Sequence, residues 1–216
     1  LNEISHYIEP TLGNSNYFIA EIYSNEKNFK IALNKLDRIH QNSFMFLYSR
    51  IKKYKILKIV DKNKSNLLLK SIEKKYPENN EVLSLIANNY RDQNKCHKAI
   101  KIYNKLIVQS KNEYRYNYLK AICLDKLNKW EDSKKILIKL ISKNPNDAYA
   151  LNYLSYSMAI RNEDLIKAKK LITKALEIEK NNGFFLDTLG WIQFKLNDVD
   201  KAVRSLQLAI ELEPNN

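Results

Sequence analysis

Apolar and polar residues along this 216-residue chain follow a pattern that repeats about every 34 residues. Six small residues set the period, at intervals of 33, 34, 34, 35 and 34: Ala32, Ser65, Ala99, Ser133, Ala168 and Ala202. Seven positions after each of them an apolar residue falls on the same helical face: Ile39, Ile72, Leu106, Leu140, Ala175 and Ala209. A period of this length is typical of a helix-turn-helix repeat that buries its apolar face only by stacking on its neighbours. The pattern therefore predicts a stack of about six helix pairs.

A second small residue precedes most of the first set and predicts where the two helices of a pair cross. It stands twelve positions earlier in four repeats and thirteen earlier in one: Ala20, Ala87, Ala121, Gly190 and Ser155. A larger side chain at such a crossing would push the helices apart. Lys53 occupies this position in the second repeat, and Lys52 stands where an apolar residue is expected, so that repeat is degenerate.

Asparagine marks the predicted turn within a pair, and proline marks the turn between pairs. Asn94, Asn128 and Asn197 lie seven residues after Ala87, Ala121 and Gly190, and Asn is the non-glycine residue that best accepts a left-handed backbone. Pro77, Pro145 and Pro214 end the second helices. The chain therefore needs few glycines and has only three.

These positions resemble the tetratricopeptide repeat, most closely in the last unit. Residues 183–216 carry the motif almost throughout, as Leu186, Leu189, Gly190, Ala202, Leu206, Ala209 and Pro214. The resemblance implies an all-α, right-handed α–α superhelix. It divides the chain into a tail of a preceding repeat and six repeats: residues 1–12, 13–45, 46–79, 80–113, 114–147, 148–182 and 183–216.

Three consecutive first helices resemble, more narrowly, multi-repeat proteins of Gram-negative bacteria, alphaproteobacteria in particular. The likeness rests on three segments: residues 118–122, with Trp130 downstream, residues 151–156 and residues 186–191. The resemblance implies an adaptor or envelope protein, so the bacterial cytoplasm and the periplasm or envelope both stay open. The chain begins with Leu1 and closes at the end of a repeat, and we expect truncation or processing at one or both ends.

The resemblance implies that binding occurs in a concave groove lined by the first helices. The residues whose phase points there are Ser84, Asn88, Arg91, Arg115, Tyr118, Asp125, Tyr149, Asn152, Tyr156, Asp187, Trp191 and Phe194. Aromatic side chains with amide and guanidinium donors suit a peptide or helix of another protein. Two alternatives stay open: Tyr156 and Trp191 fill the seam between neighbouring helices, and Asn88 and Arg91 are simply exposed polar residues. Trp130, in a second helix, is assigned to the core.

The net charge of +13 raises a second function, binding to nucleic acid or to another anionic surface. Residues 1–112 hold 20 basic and 10 acidic residues, whereas residues 113–216 hold 17 and 14. The stretch 50–64 is densest, and its candidate patch is Arg50, Lys52, Lys55, Lys58 and Lys62. An abundance of Lys, Asn and Ile also suits a genome rich in A and T, so the alternative is a solvated face without a ligand.

Catalytic motifs are missing from the sequence. Cys96 and Cys123 are 27 residues apart, and the three histidines are scattered, so we expect no disulfide framework, no metal site and no cofactor. No segment approaches the length of apolar sequence that spans a bilayer. The first hypothesis is a non-catalytic protein-interaction scaffold. The others are an anionic-surface binder and the repeat segment of a larger enzyme.

Overall fold

The computed structural model describes residues 2–214, and the side chains of residues 13–214. Within that range the chain forms twelve helices and no strand: α1 (Asn2–Asn25), α2 (Phe29–Asp37), α3 (Phe46–Val60), α4 (Lys62–Lys75), α5 (Asn80–Asp92), α6 (Cys96–Gln109), α7 (Glu113–Lys126), α8 (Trp130–Lys143), α9 (Ala148–Ile160), α10 (Leu165–Ile178), α11 (Gly183–Lys195) and α12 (Val199–Leu212). The predicted all-α fold of helix-turn-helix repeats is confirmed.

The chain divides into two compact parts, residues 1–89 and 90–216, with the boundary inside α5. In the N-terminal part, α1 pairs with α2 and α3 pairs with α4. Ala20, Ala32 and Leu36 are fully buried where α1 and α2 meet, and Ile39 and Ile56 join the same cluster. The apolar stripe predicted from the period therefore forms the core.

In the C-terminal part each helix from α6 to α12 packs against the next one along the chain. Its main cluster centres on the fully buried Leu137, Ile172, Phe185 and Ile192. The first helix α9 also packs directly against α11, the first helix of the following repeat. These two first helices thus share one side of this part of the molecule.

The turns within pairs confirm the role predicted for asparagine. Asn94, Asn128 and Asn197 have φ angles of 56°, 59° and 62°, in the left-handed region. The fifth repeat has one extra residue in its turn and uses two such positions, Asn162 at 53° and Asp164 at 38°. In the first repeat Lys27 takes this conformation with φ 61°, although lysine gives no sequence signal for it.

The small residues lie at the crossings, as predicted. Both members of the pair are fully buried in the repeats that hold Ala20 and Ala32, and Ser155 and Ala168. A Cβ added to Gly190 would lie 2.7 Å from Cγ of Leu206 and 3.2 Å from the carbonyl oxygen of Ala202, so α11 and α12 approach too closely for a larger residue. In the repeats that hold Ser133 and Ser155, the serine hydroxyl donates a hydrogen bond to a carbonyl oxygen of the partner helix. Ser133 Oγ donates to the carbonyl oxygen of Ala121 at 2.8 Å.

Two sequence expectations need correction. The predicted boundary between a tail at residues 1–12 and the first repeat falls inside α1, which runs unbroken from Asn2 to Asn25; the side chains of residues 1–12 lie outside the described residues. Lys62 does not continue the helical face of Lys52, Lys55 and Lys58. The chain bends at Asp61, whose carboxylate accepts a hydrogen bond from the Lys64 amide and caps α4.

Candidate functional site

The first helices of the last three repeats present residues in matching rows. The rows follow the 34-residue period: Arg115, Tyr149 and Phe184; then Tyr118, Asn152 and Asp187; then Ile122, Tyr156 and Trp191; and Phe194 one turn further on α11. We call these ten residues the first-helix face. Because α9 and α11 are in direct contact, their rows form one surface.

Aromatic side chains dominate the exposed part of the first-helix face. Tyr149, Tyr156, Trp191 and Phe194 are 56%, 42%, 37% and 53% exposed. Side chains that only filled a seam between helices would be largely covered. The exposed area at Tyr156 and Trp191 thus leaves contact surface for a partner.

Neighbouring residues hold the aromatic rings of this face in place. The rings of Trp191 and Phe194 stack at 5.7 Å with an interplanar angle of 27°, and the ammonium group of Lys195 lies 5.1 Å from the Trp191 ring centre. Tyr149 meets the buried ring of Phe185 edge-on at 5.4 Å. Rings fixed in this way lose little conformational entropy on binding.

Two further residues of the face show what a ligand would meet. The amide oxygen Oδ1 of Asn152 is buried, and it has no hydrogen-bond partner among the described residues. Tyr118 is half-buried with its ring edge-on to Tyr153 at 6.1 Å, and burial raises the pKa of Tyr118 to about 12. Arg115 and Asp187 are exposed. The face therefore combines rigid aromatic area, two opposite charges and one unsatisfied acceptor.

The groove residues predicted in the third repeat, Ser84, Asn88 and Arg91, are more buried than the exposed aromatic residues of the first-helix face. Ser84 is buried and Asn88 is half-buried, both in the N-terminal part. Arg91 belongs to the C-terminal part, where it is half-buried and pairs with the adjacent Asp92 at 3.1 Å.

Asp125 was predicted for the groove, and that prediction is wrong. Its side chain is 8% exposed and accepts three hydrogen bonds from α9 and the residue after it. Tyr153 Oη donates at 3.1 Å, Ser157 Oγ at 2.9 Å and Arg161 Nη2 at 2.5 Å. Burial, followed by the charge of Asp125, raises the pKa of Tyr153. These donors come from the next repeat and turn the carboxylate inward.

Trp130 packs against the core and also belongs to a polar cluster next to Asp125, which it reaches through Arg161. The guanidinium of Arg161 lies 4.6 Å from the Trp130 ring centre, and Trp130 Nε1 donates to Oε2 of Glu163 at 2.6 Å. Lys134 also donates to the Glu163 carboxylate, and this hydrogen bond is the main reason that the pKa of Glu163 is lowered. We call Asp125, Trp130, Lys134, Tyr153, Ser157, Arg161 and Glu163 the inter-repeat network.

Acidic residues of the first repeat pair with Arg50 and Lys52 of the predicted basic patch, and with the neighbouring Lys53. Lys52 pairs with Glu21 at 2.7 Å. Arg50 and Lys53 both pair with Asp37, at 3.2 and 2.5 Å. The two lysines that break the motif in the second repeat thus bind carboxylates of the first. Lys55 and Lys58 stay exposed on α3, and Lys62 lies on α4.

The cysteines are buried free thiols, and the pairing of α6 with α7 brings their side chains together despite their separation in sequence. Burial, and then a hydrogen bond with Cys96, raises the pKa of Cys123 to about 12. Over the part of the chain that the structure describes, no three His, Cys, Asp or Glu side chains are placed to hold a metal ion. No helix in that part has the length and apolar character needed to cross a bilayer.

Comparison with known proteins finds matches to two stretches of the chain and to part of one curated relative. Family models described as tetratricopeptide repeat match residues 117–147 and 183–216. The curated TPR repeat-containing protein PA4667 of Pseudomonas aeruginosa is 30% identical over 99 residues, which are 46% of this chain and 17% of that relative. The chain thus spans about a sixth of its relative's length. The narrower alphaproteobacterial likeness stays a prediction.

Solved structures share the fold. PilW, described as a widely conserved type IV pilus biogenesis factor, superposes with a TM-score of 0.78 over 94% of each chain at 13% identity. YrrB, described as a TPR protein with an unusual peptide-binding site, superposes with a TM-score of 0.53 at 16% identity, over 78% of this chain and 87% of YrrB. At these identities the likeness shows the fold alone.

Proposed function

We propose that this tetratricopeptide-repeat protein is a non-catalytic scaffold that binds a segment of another protein on its first-helix face. The observation that carries the proposal is the set of exposed aromatic rings on α9 and α11, Tyr149, Tyr156, Trp191 and Phe194; three of them, all but Tyr156, are held by contact with a neighbouring ring. Rings of this kind supply most of the binding energy at protein interfaces. That YrrB is described as having a peptide-binding site adds support at the level of the fold.

In this proposal the backbone of the partner donates the hydrogen bond that Oδ1 of Asn152 lacks. An unsatisfied buried acceptor costs about 1–3 kcal/mol. Rotation of the Asn152 amide would expose Oδ1 to a peptide N–H, and that hydrogen bond would remove the cost. Asn152 lies between Tyr149 and Tyr156 on α9, one turn from each. A bound segment would thus place apolar side chains against the rings while its backbone donates to the amide.

The test is selection of binding peptides from a displayed library of random 12-residue sequences. We expect enriched peptides to lose about 30-fold or more in affinity for Tyr156→Ala/Trp191→Ala, because a buried aromatic anchor contributes about 2 kcal/mol. The matched control is Phe44→Ala/Tyr48→Ala, which removes two exposed rings in the N-terminal part. Far-UV circular dichroism checks that both variants keep their helices.

Two results would overturn the proposal: peptides that bind the double variant as tightly as the natural protein, and peptides that lose affinity equally for the control. The further hypothesis, a repeat segment within a larger enzyme, is tested by the sequence that flanks residues 1 and 216 in the complete gene product. Localisation to the bacterial cytoplasm or envelope is part of the proposal and is tested by cell fractionation.

A further inference from the structure

A row of basic residues follows the second helices of the last four repeats at one fixed position. Lys101, Lys135, Lys170 and Arg204 each stand two residues after the buried small residue of their helix. Two residues correspond to about 200° around a helix, so these side chains point away from the core. We call these four residues the basic row. The equivalent positions of the first two repeats hold Asn34 and Leu67, so the row is confined to the C-terminal part.

The basic row is available to an external ligand. All four side chains are exposed, and none of them has a carboxylate within ion-pair distance among the described residues. A second row runs beside it one turn further on, formed by Lys105, Lys139 and Lys174. Helix α6 contains three lysines and no acidic residue at all. This position-specific excess differs from a chain that is merely rich in lysine.

The residues between the lysines indicate the chemistry of the ligand. Each of the four helices carries an exposed aliphatic side chain on the outward side: Val108 on α6, Ile138 on α8, Ile166 on α10 and Leu208 on α12. One shallow hollow on α10 is lined by Ile166, Lys169, Lys170, Thr173, Lys174 and Glu177, so three lysines outnumber one carboxylate there. Aromatic rings, on which single-stranded nucleic acid stacks, are missing from the outward positions of these four described helices.

We propose that the outward side of α6, α8, α10 and α12 binds the surface of an anionic lipid bilayer. Lysines near such a surface are attracted by its negative potential, and the aliphatic side chains enter the headgroup region. The site lies on the second helices, whereas the first-helix face is formed by α7, α9 and α11. The proposal therefore goes beyond the binding of a protein segment and does not depend on it.

The experiment is co-sedimentation of the chain with vesicles of phosphatidylcholine alone and of phosphatidylcholine with about 30% phosphatidylglycerol. We expect binding to the anionic vesicles only, reduced by about tenfold or more in Lys101→Gln/Lys135→Gln/Lys170→Gln/Arg204→Gln. Raising the salt to about 0.5 M should release the natural protein, because screening weakens the attraction.

The matched control is Lys55→Gln/Lys62→Gln/Lys70→Gln/Lys74→Gln, which removes the same charge from exposed positions of α3 and α4. We expect this control and Tyr156→Ala/Trp191→Ala to bind vesicles as the natural protein does. An equal loss in the lysine control would overturn the proposal, because net charge alone would explain binding. Failure to sediment with anionic vesicles would overturn it too. So would a protein that binds a 30-base-pair DNA duplex or poly(U) RNA through the basic row and does not bind vesicles.

Discussion

At the scale of single residues, backbone conformation explains why asparagine recurs in the turns. Every pair except α3 and α4 reverses direction in three or four residues and uses at least one residue with positive φ to do so. Glycine adopts this conformation freely but costs more entropy on folding, and asparagine is the next best choice. The sequence predicted Asn94, Asn128 and Asn197 for this reason. It could not predict Lys27, because the surrounding helices impose the conformation there.

Replacement of Asn128 tests this account. Asn128→Ala keeps the Cβ, which is strained at positive φ, and removes the polar side chain that tolerates this conformation. We expect a loss of about 1 kcal/mol in the free energy of unfolding. Asn128→Gly should stay within a few tenths of a kcal/mol of the natural protein. Urea unfolding followed by tryptophan fluorescence reports on this part, because Trp130 and Trp191 both lie in it. Asn104→Ala, an exposed helical position, is the control; equal stability of the alanine and glycine variants would contradict the prediction.

Glu163 gives the stability a defined dependence on pH. Hydrogen bonds from Lys134 and Trp130 favour its charged form, so its pKa in the folded protein is below the ordinary value. The stabilisation is therefore fully present above the ordinary pKa of glutamate and is lost as the pH falls through the lower, folded value.

The corresponding variant is Glu163→Gln. We expect it to be less stable than the natural protein at pH 7 by about 1 kcal/mol or less, since the site is partly exposed. The difference should disappear as the pH falls towards about 3. Urea unfolding at three pH values measures it, with Glu177→Gln at an exposed position as the control. A difference that does not change with pH would argue against the charge of Glu163 as its source.

At the scale of helices, the inter-repeat network joins α7 to α9. Asp125 belongs to one repeat, and its three donors, Tyr153, Ser157 and Arg161, belong to the next. Spacing along a single helix gave Asp125 the phase of a groove residue. Its actual partners are 28 to 36 positions away, and only the packing of repeats brings them together.

Removal of the Asp125 carboxylate should be costly because it leaves a guanidinium and two hydroxyls without their acceptor. We expect Asp125→Ala to reduce the free energy of unfolding by about 3 kcal/mol. In a double-mutant cycle with Ser157→Ala, a coupling energy of about 0.5 kcal/mol or more should appear. Thermal and urea unfolding measure both quantities, with Asp132→Ala on the exposed side of α8 as the control. Additive effects of the two substitutions would show that the contacts act separately.

At the scale of the whole molecule, the period of 34 was sufficient to predict the fold class and most of the pairing. Small residues, Asn turns and closing prolines all follow from the geometry of one helix pair, so a single sequence reveals them. The candidate site was predicted less completely. The residues Tyr149, Tyr156, Trp191 and Phe194 lie exposed on the first helices, as their phase indicated. Phe184 was missed, although it occupies the same phase as Arg115 and Tyr149 one repeat further on.

The role of each charged side chain was the hardest property to predict, because it depends on whether a partner of opposite charge, distant in sequence, lies beside it. The densest basic stretch predicts an anionic ligand, yet Arg50, Lys52 and Lys53 reach carboxylates of the first repeat. The basic row has no such dense stretch, since its members stand 34 or 35 residues apart. Only the alignment of repeats reveals that they occupy one position.

The inter-repeat network also limits how this array could be rearranged during evolution. A gene duplication or deletion that cut between residues 147 and 148 would separate Asp125 from Arg161 and leave each in a new repeat without its counterpart. Residues 114–147 and 148–182 therefore form one inheritable block of about twice the length of the visible period. The junction between the first two repeats carries a similar restriction, because Lys52 and Lys53 bind Glu21 and Asp37 across it.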